Sequence, residues 1–72
     1  MGMTEVRAEM AANVWQVVAS VGTVVEEGDV IAILESMKME IPVEAPCAGT
    51  ITELHVKPED QVQEGDLIAT IG

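Results

Sequence analysis

The chain repeats itself. Set against itself at an offset of 37 residues, Val14 falls on Ile51, Val17 on Leu54, Ala19 on Val56 and Val25 on Val62. Glu27-Gly28-Asp29 falls on Glu64-Gly65-Asp66, and Val30-Ile31-Ala32 on Leu67-Ile68-Ala69. Further back, Val6 matches Val43 and Ala8 matches Ala45. Two similar halves in 72 residues leave each one too short to hold a core alone. The repeat therefore predicts one domain over residues 1–72, its halves (about 4–35 and 41–72) sharing a core with pseudo-two-fold symmetry.

Both halves divide in the same way. First strands are predicted at Thr4–Glu9 and Ile41–Pro46, second at Asn13–Ala19 and Thr50–Val56. Short third strands fall at Val24-Val25 and Gln61-Val62, and fourth strands at Val30–Glu35 and Leu67–Ile71. Gly28-Asp29 and Gly65-Asp66 mark turns, where glycine supplies a positive φ without steric penalty. The apolar residues, 49% of the chain, are mostly Val, Ile, Ala, Leu and Met, with no Phe, no Tyr and one Trp. Stiff β-branched side chains suit a pleated surface, and no window sustains helical spacing of apolar residues. Eight short strands separated by turn signals predict an all-β sandwich or flattened barrel.

Charge removes several function classes. Three basic residues against thirteen acidic ones give −10, which argues against a nucleic-acid partner. No apolar run approaches the roughly 20 residues of a membrane span, and no basic-then-apolar leader opens the chain. The single cysteine, Cys47, cannot close an internal disulfide and points to a reducing, cytoplasmic setting. Met1-Gly2 has the form of a myristoylation start, but position 6 is Val6 rather than Ser or Thr.

Between the halves stands Glu35-Ser36-Met37-Lys38-Met39-Glu40. The offset pairs Lys38 with Met1 and Glu35 with Gly72, so this hairpin is the pseudo-symmetric counterpart of the place where the chain starts and stops. It is predicted to project from one end, with the termini together at the other. With Met37-Lys38 as a two-residue loop, Ser36 faces Met39, Glu35 faces Glu40, Leu34 faces Ile41 and Ile33 faces Pro42. Pro42 then lands at a non-hydrogen-bonded position, where its missing N–H costs the ladder nothing. Two opposed glutamates are mildly destabilising, and Met-Lys lacks the Asn-Gly chemistry of such a turn. Selection by a partner explains these residues better than folding does.

The same residues resemble the biotin-attachment motif of biotinyl (biotin/lipoyl attachment) domains, whose core is Met-Lys-Met, most often preceded by Glu-Ala. The likeness runs from about Ala8 to Ile71 and includes Val-Gly-x-x-Val-x-x-Gly-Asp at Val21–Asp29 and Ala45-Pro46-x-x-Gly49. Ser36 replaces the commoner alanine, and Ala12 stands where many members carry the glycine matched here by Gly49. In length the chain is similar to the small stand-alone attachment proteins. The resemblance implies a barrel-sandwich hybrid of two four-stranded antiparallel sheets. It implies a biotin carboxyl carrier-type protein in which a biotin–protein ligase joins biotin covalently to the Lys38 ε-amine. Glu35, Met37, Met39 and Glu40 would be read by that ligase, and biotin carboxylase and carboxyltransferase subunits would be the later partners. The arm would reach roughly 14 Å, about ten bonds of near 1.25 Å projected length each.

The remaining residues read more plainly. Cys47 and Trp15 are packing or strand residues, with an exposed docking patch the alternative for Trp15. His55, on a predicted strand amid acids, has no partner ligands, so no metal site is expected. No nucleophile–base pair or phosphate-cradling loop is present, so the chain is read as a carrier and not an enzyme. Lipoate on the same lysine, alone or beside biotin, and an unmodified assembly module of this fold are the alternatives left open.

Overall fold

A computed structural model describes residues 2–72; Met1, the position that the repeat pairs with Lys38, lies outside them. The strands are β1 (Thr4–Arg7), β2 (Ala12–Val17), β3 (Val24–Val25), β4 (Val30–Ser36), β5 (Met39–Glu44), β6 (Gly49–Leu54), β7 (Gln61–Val62) and β8 (Leu67–Ile71). They build two four-stranded sheets, ordered β1-β8-β6-β3 and β5-β4-β2-β7, with antiparallel pairing throughout. Replacing each strand by its repeat counterpart turns one order into the other. The all-β, pseudo-two-fold architecture predicted from the repeat is the one observed.

The core carries the same symmetry. Among the described residues, fourteen of the fifteen buried apolar ones form seven repeat pairs: Ala8/Ala45, Val14/Ile51, Ala19/Val56, Val25/Val62, Ile31/Ile68, Ala32/Ala69 and Leu34/Ile71. The fifteenth, Val6, pairs with Val43, which is half-buried and packs against the same cluster.

Irregularities are also repeated. The register slips between Val14 and Gln16 in β2 and between Ile51 and Glu53 in β6. It slips again where β4 passes Ile31 against β5 and where β8 passes Ile68 against β1. A bulge sets an extra residue in one strand and interrupts the alternation of faces. Thus Ile31-Ala32 and Ile68-Ala69, neighbours in sequence, are all fully buried.

The turns before β4 and β8 are built alike. Asp29 Oδ2 accepts from the Glu26 amide at 2.9 Å, and the Asp29 amide donates to the Glu26 carbonyl at 3.0 Å. Asp66 and Gln63 repeat this at 2.8 and 3.0 Å. Gly28 and Gly65, at φ 92° and 90°, take the third turn position, where a left-handed backbone is needed.

Several strands end sooner than the sequence predicts. β1 and β5 stop at Arg7 and Glu44, because the Ala8 and Ala45 amides leave the ladder and donate to the Asp66 and Asp29 carbonyls at 2.9 and 2.8 Å. β2 stops at Val17, where the Val18 and Ala19 amides share the Ile31 carbonyl. By the matching bond, His55 N–H to the Ile68 carbonyl at 2.8 Å, His55 lies just beyond β6 and not on a strand.

The termini meet through the Thr4–Ile71 pair, and Gly72 exchanges two hydrogen bonds with Thr50 at 2.8 and 3.0 Å. That junction belongs to the first sheet, whereas the β4–β5 hairpin closes the second. Among the described residues no helix is long and apolar enough to cross a membrane.

Candidate functional site

The hairpin has the predicted register: Ser36–Met39, Glu35–Glu40, Leu34–Ile41 and Ile33–Pro42. Met37 and Lys38 alone close it. A two-residue loop matches the right-handed twist of its strands only with left-handed central residues. Met37 at φ 53° and Lys38 at φ 67° both comply, although neither is glycine. For an L-residue this conformation costs roughly 1–2 kcal/mol. The flanking strands impose it: β4 is also paired with β2, Leu34 is buried, and Ile41 packs against the core.

The tip stands in solvent. Lys38 is exposed, and Met37 and Met39 keep 89% and 58% of their surface accessible. Among the described residues Arg7 is ion-paired with Glu5 and His55 lies against Glu53, and Lys38 belongs to neither contact. Lys38 does not line either of two shallow surface hollows of about 400 and 300 Å³, the second of which runs beside the hairpin along Glu35, Ser36 and Met37. The amine is open to approach by another protein. It can be acylated without disturbing a buried contact, so the residues present fit a covalently attached acyl group.

The other predicted residues are brought together around it. Glu35 and Glu40 oppose each other across the ladder, both exposed. The structure extends this pair into a row the sequence reading missed. Glu35 pairs on its other side with Asn13, and Asn13 with Gln61, so Glu40, Glu35, Asn13 and Gln61 line up across β5-β4-β2-β7, all exposed. Only non-local pairing reveals the last two, since a hairpin register says nothing about what lies beyond β4.

Residues singled out elsewhere lie apart from the tip. Cys47 is partly buried, its thiol 3.5 Å from Thr4 Oγ1, in keeping with a packing role. His55 Nε2 lies 3.2 Å from Glu53 Oε1. Among the described residues no three His, Cys, Asp or Glu side chains are grouped to hold a metal ion. Trp15 is half-exposed in the bulge of β2.

Comparison with known proteins agrees with this geometry. The biotin/lipoyl family model described as "Biotin-requiring enzyme" matches residues 1–71. The "Biotinylated protein TB7.3 homolog" of Mycobacterium leprae is 52% identical over 67 residues, 93% of this chain and 94% of that protein. The "Biotin/lipoyl attachment protein" of Bacillus subtilis is 46% identical over 63 residues, 88% of this chain and 86% of that protein. Among solved structures, the urea carboxylase of Kluyveromyces lactis superposes with a TM-score of 0.93 at 36% identity. That match covers all of this chain but 6% of the carboxylase.

Proposed function

The chain belongs to the biotin/lipoyl family and is a biotin carboxyl carrier-type domain, and we propose that Lys38 is the residue to which its biotin is joined. The observation that carries this reading is the Met37-Lys38 loop itself. Two non-glycine residues are held left-handed at the tip of a sheet, with the amine in solvent. When bound, biotin supplies a ureido nitrogen able to carry a carboxyl group. The hairpin supplies the anchor: Leu34 and Ile41 fix its root in the core, and the short loop limits how far Lys38 can wander. A tether of this kind raises effective concentration at whichever site the arm reaches.

The partners follow from the same reading. A biotin–protein ligase loads Lys38 and reads Glu35, Met37, Met39 and Glu40; biotin carboxylase and carboxyltransferase subunits then use the arm. The protein is a single domain over residues 1–72, a substrate and carrier for other enzymes in the cytoplasm. Lipoate on the same lysine is a second reading, favoured by the name of the Bacillus subtilis relative.

Intact-mass measurement after incubation with ligase, biotin and ATP tests the assignment. Wild type gains one biotinyl group. Lys38→Arg gains none, since a guanidinium stays protonated, and keeps its stability within about 0.5 kcal/mol as a surface substitution. Labelling of Lys57 or the N-terminus in that variant would overturn the choice of Lys38.

A further inference from the structure

The two sheets share strand order and bulge positions but have dissimilar outer faces. On the sheet that carries the termini, Thr52, Glu53, His55 and Glu5 are exposed polar residues, and Thr70 beside them is polar but buried, at 5% exposure. Thr52 Oγ1 donates to the Thr70 carbonyl at 3.3 Å, and Thr70 Oγ1 to Glu53 Oε1 at 3.4 Å. Glu53 also meets His55 at 3.2 Å, and Glu5 meets Arg7 at 2.8 Å. The repeat places Trp15, Gln16, Val18, Ile33 and Pro42 at the matching positions of the hairpin sheet. Pro42, Ile33 and Gln16 are paired across β5-β4-β2, with Trp15 beside them in the bulge and Val18 just beyond β2. Trp15 and Val18 are 51% and 56% exposed, and Pro42 is exposed. One half of the fold thus shows that these positions accept polar residues, and the other half makes four of the five apolar.

Charge adds a second asymmetry. The four strands of the hairpin sheet contain Glu35, Glu40 and Glu44, all exposed, and no lysine or arginine. The face is an apolar strip edged by carboxylates, and it leads to Lys38.

We infer that the Trp15–Val18–Ile33–Pro42 strip is a docking surface for the biotin–protein ligase, which meets it with an apolar cleft edged by arginine or lysine. The inference rests on Lys38 being the acceptor. Reach selects the ligase over later partners. Before modification only the lysine side chain spans the gap, about five bonds or roughly 6 Å, so the ligase must come down onto the domain. A biotinylated arm of roughly 14 Å lets later partners stand off. At about 3.3 Å per residue, Pro42 and Ile33 lie roughly 13–17 Å from Lys38 along the strands. A standard footprint of about 800 Å² per partner is roughly 30 Å across. A ligase approaching from this face covers the strip.

The test copies the polar sheet onto the apolar one: Trp15→Thr with Ile33→Thr, and Trp15→Thr alone should the pair not fold. Steady-state biotinylation is measured with purified biotin–protein ligase of the same source, biotin and ATP. Thermal unfolding checks that each variant is folded. Glu53→Gln, which copies Gln16 into the opposite sheet, is the control. The expected result is a KM raised about tenfold or more for the double variant, with kcat within about twofold, full modification at long times, and a wild-type KM for the control. An unchanged KM in folded variants overturns the inference. Two other outcomes also overturn it, by assigning the strip elsewhere: slowed carboxylation of the biotinylated variant by a biotin carboxylase with ligase kinetics intact, or a wild-type dimer in sedimentation that the variant loses. Failure of wild type to take up biotin refutes the carrier assignment itself, a result distinct from a biotinylated wild type with an indifferent strip.

Discussion

Replacing Met37 by asparagine isolates what the hairpin gives up in stability by holding a methionine in a left-handed turn position. Met37 sits at φ 53° with 89% of its surface in water. Removing its side chain therefore forfeits little burial, and the balance is set by the backbone. A left-handed L-residue costs roughly 1–2 kcal/mol, and asparagine tolerates that region far better, which is why Asn leads type I′ turns. Relief of about half that cost, roughly 0.5–1 kcal/mol, raises Tm by about 2–8 °C for a domain of this size. Calorimetry or circular dichroism reads the shift. The same variant loses a thioether from the motif, so its kcat/KM with biotin ligase should fall. A Tm equal to or below wild type would refute the view that the fold tolerates Met37 rather than requires it.

Three further outcomes are expected, the first two from positions that the repeat equates. Gly49→Ala would place a Cβ 2.5 Å from Ile71 Cγ2 and 3.0 Å from the Gly72 carbonyl oxygen; overpacking there should lower stability by about 1–3 kcal/mol, whereas Ala12→Gly, at the matching position, should lose only about 0.5–1 kcal/mol, both read by urea unfolding. Glu59, at φ 76°, stands where the first half uses Gly22 at φ 94°, so Glu59→Gly should gain about 0.5 kcal/mol, its strain relief partly offset by chain entropy, and a loss of stability would contradict this. Parallel incubation with biotin and lipoyl ligases should give efficient biotinylation and slow or no lipoylation of wild type, and more lipoylation of Met37→Asp/Met39→Ala; equal lipoylation of both proteins would show that the methionines do not set the choice.

Much of this was legible in the sequence because the repeat converts one-dimensional spacing into symmetry. The third strands at Val24–Val25 and Gln61–Val62 and the last strand at Leu67–Ile71 coincide with the reading, as do the four hairpin pairs from Ser36–Met39 to Ile33–Pro42. The hairpin is local, and turn length fixes its register. What escaped is non-local or irregular. The burial of both Ile31 and Ala32 follows from a bulge, which strict alternation cannot announce. Asn13 and Gln61 join the glutamate row only because β2 lies between β4 and β7. Trp15 was visible as the lone aromatic, but its significance needed Thr52 beside it as the fold's own control.

Peptide-level mass spectrometry of the protein purified from its native source tests the central claim most directly. The account predicts one biotinyl group per chain, located on the peptide that contains Lys38. An unmodified Lys38, with biotin at Lys57 or at the N-terminus, would contradict it.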